Sequence, residues 1–474
     1  MSYTNNIPPR SLYVDELVAD QDGSIAFIKD GKGFGKTGTN NQTLGYALSG
    51  TWITAKDETE VIPSAGSLWN VGGVFNDWNP DTGSFNLSAV SVSDSSNNYG
   101  GTGDGVYRLR AFIDMPINGH TIKVFFSYQI KDSLRGGTPV PAIIQSHGWY
   151  GQYTEYSSSS PQISGGYAML SYDWAGTAGG TRTYPTYKMT LYPSELNRLN
   201  QYVNPGADEA SESSVTNAAT VKTLDMYYWT AIPKRITSYL RTVSDVDPNK
   251  IGFSGYSWGG TIAWNMSSDS RIRAVVAYYG VGWIHYWRNN SVWKYDLPPI
   301  KQPTFSDGNN RYISALECQS HAKRAKAPIL WLTGTNEYHG RLDRGLDNFD
   351  LLPAGVNGSF AFEANQGHSA QVNTGQDEML WFNKYLKGQN ITWYTSPTPT
   401  FTLVTSGAQT GYPKFTVAPD SPASLSAINI WYALEDPNDV TRTWLSAAPV
   451  NNGDGTWSAV TPIENIYRYV FAVS

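Results

Sequence analysis

Cysteine is nearly missing from this chain of 474 residues: Cys318 stands alone. An intramolecular disulfide is therefore excluded, and so is a metal site built on paired cysteines. Charge is also sparse, at 16% of residues, with a formal net charge of −6 and no basic block. A chain of that balance repels a phosphate backbone, which argues against nucleic acid as a partner. No apolar run is long enough to span a bilayer. The opening Met1-Ser-Tyr-Thr-Asn-Asn-Ile-Pro-Pro lacks both a basic start and an apolar stretch, so it does not read as a signal peptide. No metal-ligand spacing of the HExxH kind occurs, and no cofactor or metal is expected. Gly33-Phe-Gly-Lys-Thr-Gly38 fits a dinucleotide fingerprint in letters only, because no helix start follows to receive a phosphate.

What is abundant is aromatic and small. The chain holds 17 Trp, 31 Tyr and 45 Gly. Flat rings with a polar edge suit stacking on sugars and equally suit β-sheet cores. The length predicts more than one domain. Residues 1–105 read as a β-rich domain, with strand-like runs such as Ser24–Lys29 and Thr51–Ala55 between turn clusters. Val74-Phe-Asn-Asp-Trp-Asn-Pro80 hints weakly at a glycan-binding turn. From 106 to 392 the pattern becomes α/β. Strand candidates Thr121–Ile130, Ala142–Gln145, Ala168–Ser171, Ile251–Ser254, Ala274–Tyr279 and Ile329–Leu332 alternate with helices, of which Tyr227–Thr242 and Ala370–Leu386 are clearest. Short apolar strands each followed by a helix predict a mostly parallel sheet covered on both faces. The stretch Ser396-Pro-Thr-Pro-Thr400 reads as a linker, and 393–474 as a small C-terminal β-sandwich with turns at 436–439 and 451–455.

Within the α/β region, Gly255-Tyr-Ser257-Trp-Gly259 fits G-x-S-x-G. A reactive hydroxyl needs a tight strand-to-helix turn with small neighbours, and the following helix aims amide N–H groups at developing negative charge. Here the strand Lys250–Ser254 precedes the motif and Thr261-Ile-Ala-Trp264 opens a helix after it. Ser257 is the candidate nucleophile. The six histidines can be weighed as its base. His120 falls at a turn before the sheet begins, His147 opens a loop upstream, and His285 lies in an aromatic segment. His321 shares a helical stretch with Lys323, Arg324 and Lys326 and reads as a surface residue. His339 lies two residues after Glu337, a carboxylate that could orient the base, and follows it too closely to face it. His368 remains, after the strand Phe360–Glu363 and before the last long helix.

The run from Val246 through Ser257 to Gly260 resembles the nucleophile region of α/β-hydrolases close to acetyl xylan esterases, dienelactone hydrolases and prolyl-oligopeptidase-like enzymes. The resemblance spans about 106–390 and implies the α/β-hydrolase fold, with the order Ser, acid, His. It places the base at His368. Its G-x-x-D position after Pro328-Ile-Leu-Trp-Leu-Thr-Gly334 is held here by Glu337, one methylene longer than the family's Asp, with Asp343 and Asp347 as alternatives. It further implies an oxyanion hole from the backbone N–H groups of Trp258 and Trp149, with His147 ordering the loop and Asp173-Trp-Ala-Gly176 forming a structural turn. Tyr150, Trp283 and Trp287 are candidate substrate contacts.

The implied activity is a serine esterase that deacetylates a polysaccharide or oligosaccharide, acting on an acetylated glycan or another small ester. The alternatives are a prolyl-oligopeptidase-like serine peptidase, and a glycan-binding or virion structural component carrying an esterase-like domain. Action outside the cell, secreted or virion-borne, and assembly as a homo-oligomer or in a virion are the accompanying expectations.

Overall fold

The computed structural model describes residues 16–19, 25–29, 32–34, 74–75, 78–90, 104–148, 153–176, 189–199, 221–282, 312, 315–340, 342–369, 374–393, 400–420, 428–434, 440–462 and 470–473. Three short strands, β1 (Glu16–Ala19), β2 (Ile25–Lys29) and β3 (Lys32–Phe34), form a small antiparallel sheet near the N-terminus. The phosphate-loop lookalike thus begins in a strand. The expected strand at Thr51–Ala55 lies outside the described residues.

A nine-stranded sheet carries the fold. Its strands are β4 (Ser88–Ala89), β5 (Val106–Ile117), β6 (His120–Lys131), β7 (Val140–Ser146), β8 (Ala168–Tyr172), β9 (Val246–Tyr256), β10 (Ala274–Tyr278), β11 (Ile329–Gly334) and β12 (Gly358–Glu363). They lie in the order β12-β11-β10-β9-β7-β8-β6-β5-β4. The pairs from β12 to β8 are parallel, and β8/β6, β6/β5 and β5/β4 are antiparallel. The central strands β8, β10 and β11 are buried along their whole length, as an unbroken apolar run requires when helices cover both faces.

Three expectations are corrected here. The sheet does not begin near residue 121: β5 precedes it, and β4 brings in residues N-terminal to 106. The pattern of β5, Val-Tyr-Arg-Leu-Arg-Ala-Phe-Ile, hides a strand because Arg110 is buried in an ion pair with Glu155. His120 accordingly opens β6, just after an Asn118-Gly119 turn with both residues at positive φ. The strand expected at Lys250–Ser254 is longer at both ends, since β9 runs from Val246 to Tyr256.

Helices α1 (Pro161–Ser164), α2 (Asp225–Leu240), α3 (Trp258–Met266), α4 (Cys318–Ala322), α5 (Leu342–Gly345), α6 (Asp347–Asp350) and α7 (Thr374–Lys387) flank the sheet. One apolar cluster joins β5–β9 to α2 and α3, and a second joins β7, β8, β10 and β11 to α7, so the core lies on both faces. His321 is buried in α4, its Nδ1 3.0 Å from the Asn265 carbonyl of α3, and is not the surface residue that its basic neighbours suggested. Burial pushes its pKa well below the ordinary value.

The segment before β5 is fastened to this unit. Arg235 of α2 donates to the carbonyls of Pro80, Thr82, Gly83, Ser84 and Asp114. Phe75 stacks on Tyr227 at 4.8 Å, and Trp78 Nε1 donates to the Pro116 carbonyl at 2.8 Å. Both rings of the suspected glycan-binding turn are therefore engaged in packing.

At the C-terminus, β13 (Thr400–Leu403), β14 (Pro413–Val417), β15 (Ile430–Leu434), β16 (Trp444–Ala447), β17 (Val450–Asn451), β18 (Trp457–Val460) and β19 (Val470–Val473) form two antiparallel sheets, β13-β14-β18-β17 and β16-β15-β19. Phe415, Val417 and Ala459 of one sheet join Ile430, Tyr432 and Ala447 of the other in a shared apolar cluster. The turn expected at 451–455 links β17 to β18; the one at 436–439 lies outside the described residues.

Candidate active site

Ser257 sits between β9 and α3 with φ 57 and ψ −118, a conformation rare for a residue with a side chain. The turn is held from both sides. Ser257 N–H donates to the Tyr278 carbonyl at 3.0 Å, and the Ser257 carbonyl accepts from Gly260 N at 2.8 Å. The glycines answer to space: a Cβ at Gly259 would fall 2.5 Å from the Ser146 carbonyl oxygen. Ser257 is 8% exposed, enough for its hydroxyl to meet partners at the C-terminal end of the sheet.

Those partners come from the loops after β11 and β12. These strands are parallel neighbours in register, Gly334 opposite Glu363, so the turns that follow them lie side by side. Thr335 N donates to the Glu363 carbonyl at 3.0 Å, Asn336 N to the Gln366 carbonyl at 2.9 Å, and Asn365 N to Thr335 Oγ1 at 2.8 Å. This stitching delivers Glu337 and His368 to one place. His368 Nε2 is 2.8 Å from Ser257 Oγ, and His368 Nδ1 is 2.6 Å from Glu337 Oε1. The Glu337 side chain is fully buried, and the same Oε1 accepts from His339 N at 2.7 Å. The extra methylene of Glu is thus accommodated by a turn that grips the carboxylate. Of the alternatives, Asp347 is buried in α6, and the side chain of Asp343 lies outside the described residues.

The imidazole of His368 is flanked by two rings, Tyr279 at 4.6 Å and Tyr338 at 4.5 Å. Tyr279 has φ 67, and its hydroxyl donates to the Ser369 carbonyl next to His368. Burial, then the charges of Glu337 and Glu363, push its phenol up to about 12, so it stays a donor. Neither tyrosine was flagged from the sequence. A left-handed backbone at a strand end leaves no mark in a pattern of apolar residues.

His339 also reaches this site. Its ring crosses to the candidate nucleophile, with Nδ1 3.3 Å from Ser257 Oγ, and packs 4.8 Å from the ring of Trp258. Adjacency to Glu337 kept it from facing that acid, but a tight turn sends alternate side chains to different partners. Burial, followed by the charge of His368, pushes its pKa down to about 3.

On the other side of Ser257 lies the loop after β7. A Cβ at Gly148 would fall 2.9 Å from Ser257 Cβ, so only glycine lets this backbone approach so near. His147 is buried, stacks on Trp174 at 4.7 Å, and lies 3.2 Å from Asp173 through Nε2. Asp173 Oδ2 accepts from Gly176 N and Thr190 N at 3.0 and 2.7 Å, closing the Asp-x-x-Gly turn. Trp258 is the first residue of α3, where helical N–H groups point outward. Trp149, Tyr150, Trp283 and Trp287 lie outside the described residues. Among the described residues no cluster of His, Cys, Asp and Glu could hold a metal ion, and no helix is long and apolar enough to cross a membrane.

Residues 137–347 match the model of the dienelactone hydrolase family, a span that holds Ser257 and Glu337 and stops before His368. Among solved structures, the chain is similar to acetyl xylan esterase 1 from Thermoanaerobacterium sp. JW/SL YS485, at 12% identity, over 70% of this chain and 97% of that one, with a TM-score of 0.49. It is similar also to the acetyl xylan esterase from Paenibacillus sp. R4 (15% identity, 70% and 99% of the chains, TM-score 0.48). A third is the Pyrococcus horikoshii acylaminoacyl peptidase (16% identity, 60% and 42%, TM-score 0.41). No curated protein matches this chain in sequence. Over residues 137–347 the chain is thus similar to the dienelactone hydrolase family, and its fold is that of the α/β-hydrolases.

Proposed function

We propose that this chain is a serine esterase with Ser257 as nucleophile, His368 as general base and Glu337 as its orienting acid, and that its substrate is an acetylated glycan. The observation that carries this reading is the unbroken relay from Ser257 Oγ through both ring nitrogens of His368 to Glu337, at 2.8 and 2.6 Å. Glu337 holds the proton on His368 Nδ1, leaving Nε2 free to accept one. In acylation Ser257 Oγ attacks the ester carbonyl as its proton passes to Nε2. The carbonyl oxygen gains negative charge beside the N-terminus of α3, where the N–H of Trp258 and that of Trp149 serve as donors. The C–O bond to the alcohol then breaks, and the alcohol oxygen takes the proton from Nε2. Water repeats the sequence on the acyl-enzyme and releases the acid.

Crowding at the nucleophile supports a small acyl group, since His339 and Trp258 stand ring against ring beside Oγ. The abundance of Trp and Tyr supports a sugar as the alcohol, with Tyr150, Trp283 and Trp287 as stacking candidates. Acetate release from acetylated oligosaccharides, together with p-nitrophenyl esters of rising chain length, tests the reading. Acetyl esters are expected to be preferred, and Ser257→Ala to lose turnover by a factor of ~10⁶. Undiminished turnover in that variant, or faster cleavage of peptide amides than of esters, would overturn it.

A further inference from the structure

Two imidazoles converge on one hydroxyl: His368 Nε2 at 2.8 Å and His339 Nδ1 at 3.3 Å from Ser257 Oγ. Proton counting fixes what each does. Glu337 Oε1 accepts from His368 Nδ1 at 2.6 Å, so the neutral ring of His368 presents a lone pair at Nε2. The single hydroxyl proton of Ser257 goes there. Only lone pairs of Oγ then remain for His339, and its Nδ1 must be the N–H. The ring is fixed as well as placed. His339 is 6% exposed, packs on Trp258, and its own backbone N–H is tied to Glu337 Oε1 at 2.7 Å. A pKa pushed down to about 3 by burial keeps it from competing with His368 for the proton that Ser257 releases.

We propose that His339 is a catalytic hydrogen-bond donor to Ser257 Oγ, acting chiefly when that oxygen is the leaving group. The inference rests on the esterase reading above. In deacylation, water attacks the acyl carbon and gives a proton to His368 Nε2. As the tetrahedral intermediate collapses, the bond between carbon and Oγ breaks, its electron pair returns to Oγ, and Oγ takes the proton from Nε2. Negative charge grows on Oγ during that collapse, and the N–H of His339, which keeps its own proton, stabilises it. In acylation the same donor holds a lone pair of a neutral oxygen, where it has less to stabilise and slightly weakens the nucleophile. One loop thus supplies the acid behind one imidazole and the whole of the other.

Stopped-flow hydrolysis of p-nitrophenyl acetate by the full chain separates the two steps, with the burst reporting acylation and the steady phase deacylation. His339→Phe keeps a ring against Trp258 and removes the donor. The expected result is a steady-state rate down 10- to 100-fold with a burst rate changed less than about 5-fold. His339→Asn, whose amide N–H can stand in for Nδ1–H, is expected to recover most of the steady rate. If the Phe variant lacks a cooperative thermal transition, His339→Leu takes its place. An unaltered steady rate in the non-donor variant, equal impairment of Asn and Phe, or a burst slowed more than the steady phase would each overturn the inference while leaving the esterase reading intact. Wild-type protein without Ser257-dependent turnover would overturn both.

Discussion

Asn365 and Trp444 pair like residues of adjacent strands: Asn365 Oδ1 accepts from Trp444 N at 2.7 Å, and Asn365 Nδ2 donates to the Trp444 carbonyl at 2.9 Å. Asn365 lies at φ 60 on the loop that carries His368, and Trp444 opens β16 of the C-terminal sheets. The acid loop is gripped likewise, with Asn336 Nδ2 donating to the carbonyls of Val440 and Arg442. Both loops that serve Ser257 are therefore braced by the same C-terminal segment.

Asn365→Gly tests that brace, because glycine keeps the left-handed backbone and deletes only the side chain. Loss of two hydrogen bonds in a half-buried setting is expected to cost about 1–3 kcal/mol in urea unfolding. The turnover number should fall about 10-fold, with KM little changed. A variant equal to wild type in both would show that the C-terminal sheets do not support the site.

Glu337→Gln preserves shape and removes charge. Turnover is expected to fall by about 10² to 10⁴, as for the loss of any carboxylate that sets a histidine tautomer. Glu337→Asp withdraws the carboxylate from its 2.6 Å contact and should fall nearly as far. Steady-state kinetics on p-nitrophenyl acetate provides the check.

Gly148→Ala puts a methyl 2.9 Å from Ser257 Cβ and 3.0 Å from the Tyr256 carbonyl. Both neighbours belong to the constrained turn at Ser257, so the loop after β7 has to retreat. Activity should fall at least about 10-fold while the melting temperature moves by only a few degrees.

Acid should destabilise this fold through its buried histidines. The pKa of His339 is about 3 in the folded chain, and that of His321 is well below its ordinary value, against about 6.5 unfolded. Between those values the unfolded chain binds protons that the folded one refuses. Stability is therefore fully present above pH 6.5 and is lost as pH falls toward 3, at no more than about 1.4 kcal/mol per pH unit for each histidine. Urea midpoints between pH 7 and 4 should show the decline, and His339→Asn should make it shallower. An equal slope in that variant would count against a neutral, buried His339.

The sequence disclosed the parts of this molecule that are written locally. The parallel strands announce themselves as apolar runs, and the turn around Ser257 as glycines flanking a serine between strand and helix. What stayed hidden depends on partners distant in the chain. The strand β5 carries Arg110, whose burial makes sense only once Glu155 is seen beside it. The basic neighbours of His321 suggested solvent, although the helix turns that histidine into α3. His339 was dismissed by counting residues along the chain, whereas the turn at 335–340 sends Glu337 to one imidazole and His339 itself to the serine.

The account stands on Ser257 being an activated nucleophile, and covalent trapping tests that most directly. Wild-type protein treated with a fluorophosphonate and mapped by peptide mass spectrometry should carry one adduct, on Ser257. The labelling rate should fall at least about 100-fold in His368→Ala, and the adduct should be missing in Ser257→Ala. A folded wild-type chain that takes no label at Ser257, or labels equally fast without His368, would contradict it.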